Sequence, residues 1–124
     1  MNRVIDYLIA HPPKDDGEKY ALITAILRAM LIVPQLDDVS GHPEKLSPLV
    51  ATIDGVPHVV VFNSIESAKE AREAAPYGLT MTGADIITRL VPGTALLVAA
   101  DSGRIGFTPE MLDTIRADIA AGRA

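Results

Sequence analysis

The chain contains no cysteine and no tryptophan. Without thiols it has no disulfide, no thiolate metal site and no cysteine nucleophile, and it suits a reducing compartment. Aromatic side chains make up 4% of the residues: Tyr7, Tyr20, Phe62, Tyr77 and Phe107. They are too few to build a platform for stacked bases. A basic stripe is missing as well. Lys14, Lys19, Arg28, Lys69, Arg72 and Arg89 are scattered, and the formal net charge is −5 with a pI near 5.0. Nucleic acid and anionic membrane are therefore poor partners. No apolar run is long enough to span a bilayer. The first residues, Met1 to His11, do not read as a signal peptide, because Asp6 interrupts the apolar run and no small-residue cleavage site follows. The expected compartment is the cytoplasm.

What the chain does have is a large apolar fraction, 48% of 124 residues. A chain of this length suits one domain and buries roughly 65% of its unfolded surface on folding, enough for a core without staples. Its centre is the stretch Leu49 to Asn63. Two β-rich runs flank Asp54-Gly55, a dipeptide that takes the positive φ values of a type I′ turn. The second arm, Val56 to Phe62, is apolar on both faces. Val56, Val60 and Phe62 alternate with Val59 and Val61, so the strand is expected to be covered on both sides.

Residues 2–11 read as a short amphipathic helix. Val4, Ile5, Leu8 and Ile9 form its narrow apolar face, and Pro12-Pro13 ends it before the polar linker Lys14 to Gly17. That face has two readings. It folds back onto its own domain, or it docks on a second subunit or partner, since a short terminal helix needs a surface to be stable. A broad apolar helix is predicted from Glu18 to Ala29, then a strand from Leu31 to Leu36. Pro34 places that strand at an edge or ends it early. Ser64 is expected to cap a helix to Ala74, and Tyr77 to Met81 to form a short strand. Thr82 is expected to cap a helix to Val91 whose buried stripe is Ile86, Ile87, Leu90 and Val91. Ala95 to Ala100 reads as a buried strand and Asp101-Ser102-Gly103-Arg104 as a turn. Thr108-Pro109-Glu110 opens a last helix that Met111, Leu112, Ile115 and Ile119 press onto the core and Gly122 closes. The fold expected is α+β: one small domain with a mixed or antiparallel sheet around the central hairpin.

Catalytic signals are weak. His11, His42 and His58 lie in no metal-ligand spacing. His58 shares a strand face with Val60 and Phe62 and reads as a half-buried sheet histidine. Ser102 lacks a nucleophile elbow, and no histidine follows it. Asp37-Asp38 is too small for a calcium loop. Gly103-Arg-Ile-Gly106 is not a phosphate loop. No catalytic residue, metal or cofactor is assigned.

Three blocks resemble the N-terminal domain of the SseB family, the enhanced serine sensitivity proteins of bacteria. They are Leu31 to Pro34; Pro48 to Ser64 with Glu66 and Ala68; and Gly83 through Pro92-Gly93 to Thr108-Pro109-Glu110-Met111-Leu112. Two departures stand out. Ala100-Asp101-Ser102-Gly103 replaces an Asn-Pro-Gly-like turn, and Asn63 replaces a threonine. Longer relatives carry a second, C-terminal domain with no counterpart in this sequence. The resemblance implies a small α/β domain without an established activity, among relatives linked by name to secretion systems or serine tolerance.

Three functions are carried forward. The first is a non-enzymatic binding or scaffold domain that uses Val4, Ile5, Leu8 and Ile9 for a protein partner or self-association. The second is a small-molecule, for instance amino-acid, sensor or enzyme with a pocket at the strand ends near 101–104, contacted by His58, Asp101, Ser102 or Arg104. The third is a secretion-accessory or toxin-neutralising protein, to which net acidity is suited.

Overall fold

The computed structural model describes residues 10–11, 14–36, 48–71, 77–100 and 103–122. Among them the order is α1 (Asp16–Arg28), β1 (Met30–Gln35), β2 (Val50–Ile53), β3 (Val56–Phe62), α2 (Ile65–Ala68) with a 3-10 turn Lys69–Ala71, β4 (Tyr77–Thr82), α3 (Gly83–Arg89), β5 (Ala95–Ala100), β6 (Gly103–Phe107) and α4 (Pro109–Ala120). Of the predicted N-terminal helix, residues 2–9 lie outside the described residues. The strand β6 was not expected: Gly103 and Arg104, read as turn residues, open it.

The strands form one mixed sheet in the order β4-β1-β3-β5-β6, with β2 paired to β3. This is the α+β class that the sequence predicts. Asp54 and Gly55 have φ of 52° and 79°, so the hairpin turns through the left-handed pair that Asp-Gly favours. β3 runs parallel to β5, with Val59 opposite Leu96 and Val61 opposite Val98. Its other edge is shared. Val56 to Val59 pair with β2, whereas Phe62 pairs with Ile32 of β1.

Leu49 sits where β1 and β3 part. Its N–H donates to the Pro34 carbonyl at 3.0 Å, and its own carbonyl accepts from Val60 N–H at 3.1 Å. The fork explains Pro34. β1 is an interior strand between β4 and β3, not an edge, yet it ends at Gln35, one residue past the proline. No N–H is required of Pro34 there, because the Leu49 carbonyl opposite takes its donor from Val60.

Side-chain alternation sends Leu31, Val33, Val59, Val61, Leu96, Val98 and Phe107 to one face, where they meet Leu22, Ile26, Ile86, Ile87, Leu112 and Ile115 of α1, α3 and α4. The other face is thinner. Phe62 and Ala99 pack with Ala68 and Ala71, flanked by the half-buried Ile32, Leu49 and Val60. β3 is thus covered on both faces, as its composition predicts. The helix caps follow local chemistry. Asp15, Ser64, Thr82 and Thr108 each accept a first-turn N–H, with Ser64 and Ser67 forming a reciprocal capping box.

Two glycines meet opposite surroundings. Gly83 N–H donates to the Ala29 carbonyl at 3.0 Å, and a Cβ on Gly83 would lie 2.0 Å from the Ile26 carbonyl oxygen. Backbone cannot yield as a side chain can, so the first turn of α3 meets the last turn of α1 at a distance that admits glycine alone. Gly78 lies in β4, where a Cβ would meet Ile32 Cγ2 at an ordinary 3.6 Å. Gly83→Ala is expected to lower unfolding free energy by at least about 2 kcal/mol, the scale of overpacking. Gly78→Ala is expected to raise it by roughly 0.5 kcal/mol, since alanine loses less backbone freedom on folding. Urea denaturation of the two variants beside the wild type checks both signs.

Candidate functional site

The last turn of α3 does not reach as far as the periodicity predicts. Ile86 and Ile87 are buried and Leu90 is half-buried, but the helix stops at Arg89 and Val91 is 69% exposed. The turn Val91 to Thr94, closed by Thr94 N–H to the Val91 carbonyl at 3.1 Å, swings the chain away from the sheet. Gly93, at φ 87°, takes the left-handed conformation this turn needs.

The short helix leaves the hairpin end of the sheet incompletely covered. An apolar cleft of about 190 Å³ opens there. Val33, Val59, Met81 and Ile86 form its floor, Val50, Pro48 and Pro57 one wall, and Leu90 and Val91 the other. Arg89 and Thr94 supply the polar groups at its margin. Val50 is 49% exposed at the lip. Leu36, Ile53 and Tyr77 are also exposed, and the register sets them at the same end of the sheet, Tyr77 opposite Gln35 and Ile53 beside the hairpin turn. Apolar exposure gathered at one end marks a contact surface more than scattered single residues do.

A second groove, about 210 Å³, runs between α1 and α4 over Ile23, Leu27, Met111 and Ile115, with Tyr20 at its rim. A more polar hollow of about 410 Å³ adjoins it beside Arg28 and Gly122. Arg116 of α4 spans toward α3, donating to the Ile87 carbonyl at 3.2 Å while it pairs with Asp113 at 2.5 Å.

Of the residues singled out in the sequence, the two that are described, His58 and Arg104, stand apart. His58 lies on the face opposite the cleft, half-buried, with Nδ1 donating to the Val56 carbonyl at 2.8 Å. Arg104 is exposed on β6 opposite Ala99, whereas His58 stands opposite Ala95. Those two positions of β5 are about 13 Å apart along the strand at ~3.3 Å per residue, so His58 and Arg104 belong to opposite ends of the sheet. Asp101 and Ser102, like Val4, Ile5, Leu8 and Ile9, lie outside the described residues. Among the described residues no group of His, Asp and Glu is placed to hold a metal ion, and no helix is long and apolar enough to cross a membrane. The cleft residues Val50, Arg89 and Val91 carry no motif. The one sequence signal for them was Pro92-Gly93, which shortens α3.

A family model described as the SseB protein N-terminal domain matches residues 7–114. No curated protein and no solved structure matches the chain. The matched span takes in every described strand, both walls of the cleft and the first half of α4. The chain therefore belongs to the SseB family, through the N-terminal domain that defines this match.

Proposed function

We propose that this domain is a non-enzymatic binding module of the bacterial cytoplasm that acts through protein–protein contacts. The observation that carries the reading is the apolar cleft with its exposed lip. Its walls are aliphatic, its margin offers one guanidinium and one hydroxyl, and its about 190 Å³ falls below the roughly 300–1,000 Å³ of small-molecule sites. A space of that size accepts one or two side chains from a partner better than it encloses a metabolite. The sequence-derived face Val4, Ile5, Leu8 and Ile9 is a second proposed contact surface of the same module.

The amino-acid sensor reading needs polar groups that converge on a ligand. His58 and Arg104 stand too far apart to do so together, which favours the protein-contact reading.

Two surface variants test it: Val91→Asp at the cleft, and Ile5→Asp with Ile9→Asp at the N-terminal face. Val91 is exposed, so its replacement is expected to change stability by no more than about 0.5 kcal/mol. At least one variant is expected to lose self-association or the capture of a specific protein while keeping the wild-type circular dichroism and melting curve. Assembly and capture unchanged in both would refute the binding reading at these surfaces. A thermal-shift screen with amino acids and nucleotides is expected to be flat. A ligand at 100 times its Kd would add about 2.7 kcal/mol, and such a shift would favour the sensor instead.

A further inference from the structure

The hairpin places a short, uncharged strand beside the cleft, with one edge unpaired among the described residues. β2 reads Val-Ala-Thr-Ile and carries no lysine, proline or glycine, the devices that blunt an edge. Leu49 accepts from Val60 N–H, and the register pairs Ala51 with His58 and Ile53 with Val56. In an antiparallel ladder bonded and non-bonded residues alternate. The Leu49 carbonyl and both backbone groups of Ala51 and Ile53 therefore face β3, and Val50 and Thr52 turn theirs outward. Among the described residues nothing pairs with that outward edge. The sheet's other two edges are less suited to accept a strand. β6 carries Arg104 and two glycines, and β4 has Gly78 in its interior.

Two charges at this end of the sheet lack a partner of opposite sign among the described residues. Arg89 is exposed at the cleft margin and Asp54 is exposed at the hairpin turn. Neither forms an ion pair among the described residues.

We infer that two copies of this chain join edge to edge through β2, antiparallel about a dyad at Ala51, with Asp54 of each copy facing Arg89 of the other. The register follows from the outward groups. With Ala51 opposite Ala51 of the second copy, Val50 stands opposite Thr52 and Thr52 opposite Val50. Each of these pairs exchanges both of its backbone bonds, and no outward N–H or C=O is left over. Any other antiparallel register leaves an outward residue of β2 facing a turn residue or Pro48, which has no N–H. In this register Asp54 comes alongside Pro48 of the second copy, which walls the cleft beside Arg89. Carboxylate and guanidinium are thus brought together twice by one two-fold axis. The exposed Val50 and Ile53 lose water at the same time. The inference deepens the binding reading above by naming a second copy as the partner of the hairpin edge.

The test is the mass of the purified full chain by light scattering across a concentration series, for wild type, Thr52→Lys, Ala51→Cys and the pair Asp54→Asn and Arg89→Gln. The wild type is expected to dimerise. Thr52→Lys, a charge on an exposed strand position, is expected to raise the dimer Kd at least about tenfold with unchanged circular dichroism. Each neutral variant is expected to weaken the dimer, and the double variant to weaken it no further than one alone. The chain has no cysteine of its own, so Ala51→Cys reports one contact. Facing residues of a non-bonded pair have Cα atoms about 4.5 Å apart, inside the disulfide range, and mild oxidation should give a covalent dimer. A wild type that stays monomeric overturns the inference, and so does a dimer indifferent to Thr52→Lys. Either result leaves the binding-module reading to stand or fall on partner capture by the Val91→Asp and Ile5/Ile9 variants. A dimer sensitive to Thr52→Lys in which Ala51→Cys does not cross-link overturns the proposed register.

Discussion

The bond from Gly83 N–H to the Ala29 carbonyl holds the two halves of the helical layer at one depth. It joins the end of α1 to the start of α3 just where β1 begins and β4 ends, with Met30 opposite Thr82. Each strand of that pair is continuous with one of the two helices, so the backbone contact also sets how both helices lie over the sheet. Ile26, Ile86 and Ile87 can then reach Leu31 and Met81. A side chain at position 83 would lift one helix and open this layer along its length.

The sheet has its own branching point at Leu49. One edge of β3 serves two strands in succession, because β1 leaves it after Phe62 and β2 takes it up from Val59. The fork has two results. Pro34 becomes harmless inside the sheet, and the outer edge of β2 is left beyond the end of β1. The short α3 fails to cover the same region, so the open cleft and the open edge arise together. The hairpin thus supplies both a regular antiparallel pairing and exposed apolar side chains, Val50 and Ile53.

The parts of this fold that were legible in the sequence are those set by neighbouring residues. Asp54-Gly55 announced its turn because only positive φ closes a two-residue hairpin of this twist. Ser64, Thr82 and Thr108-Pro109 announced helix starts because an exposed amide needs an oxygen three residues back. The alternation of Val59 and Val61 with Val60 and Phe62 assigned both faces of β3 correctly. What failed was set by residues distant in the chain. Gly103 to Phe107 looked like a turn and its sequel, since two glycines depress strand propensity, and it is a strand because β5 offers it a ladder. Val91 continued a helical stripe, but the chain turns away before it can be buried. Pro34 signals an edge or an early end; the strand ends at Gln35, but no local pattern reveals the fork that puts it inside the sheet. The cleft is empty space between segments drawn from residues 33 to 94, and no single stretch encodes it. The family, by contrast, was legible from the punctuation of turns and caps.

The parallel pairing of β3 with β5 carries a cost in time. The hairpin closes across adjacent residues, Ile53 against Val56, on the microsecond scale of such elements. The parallel partner comes from much farther along the chain, His58 against Ala95, with α2, β4 and α3 to be laid down between. Long-range pairing of this kind slows folding, because loop entropy must be lost before any contact rewards it. During that interval the apolar hairpin stands with both edges bare, and the newly made chain is most open to wrong strand partners before β5 arrives. The late arrival of one central strand therefore sets the window in which a growing cell must keep these chains apart.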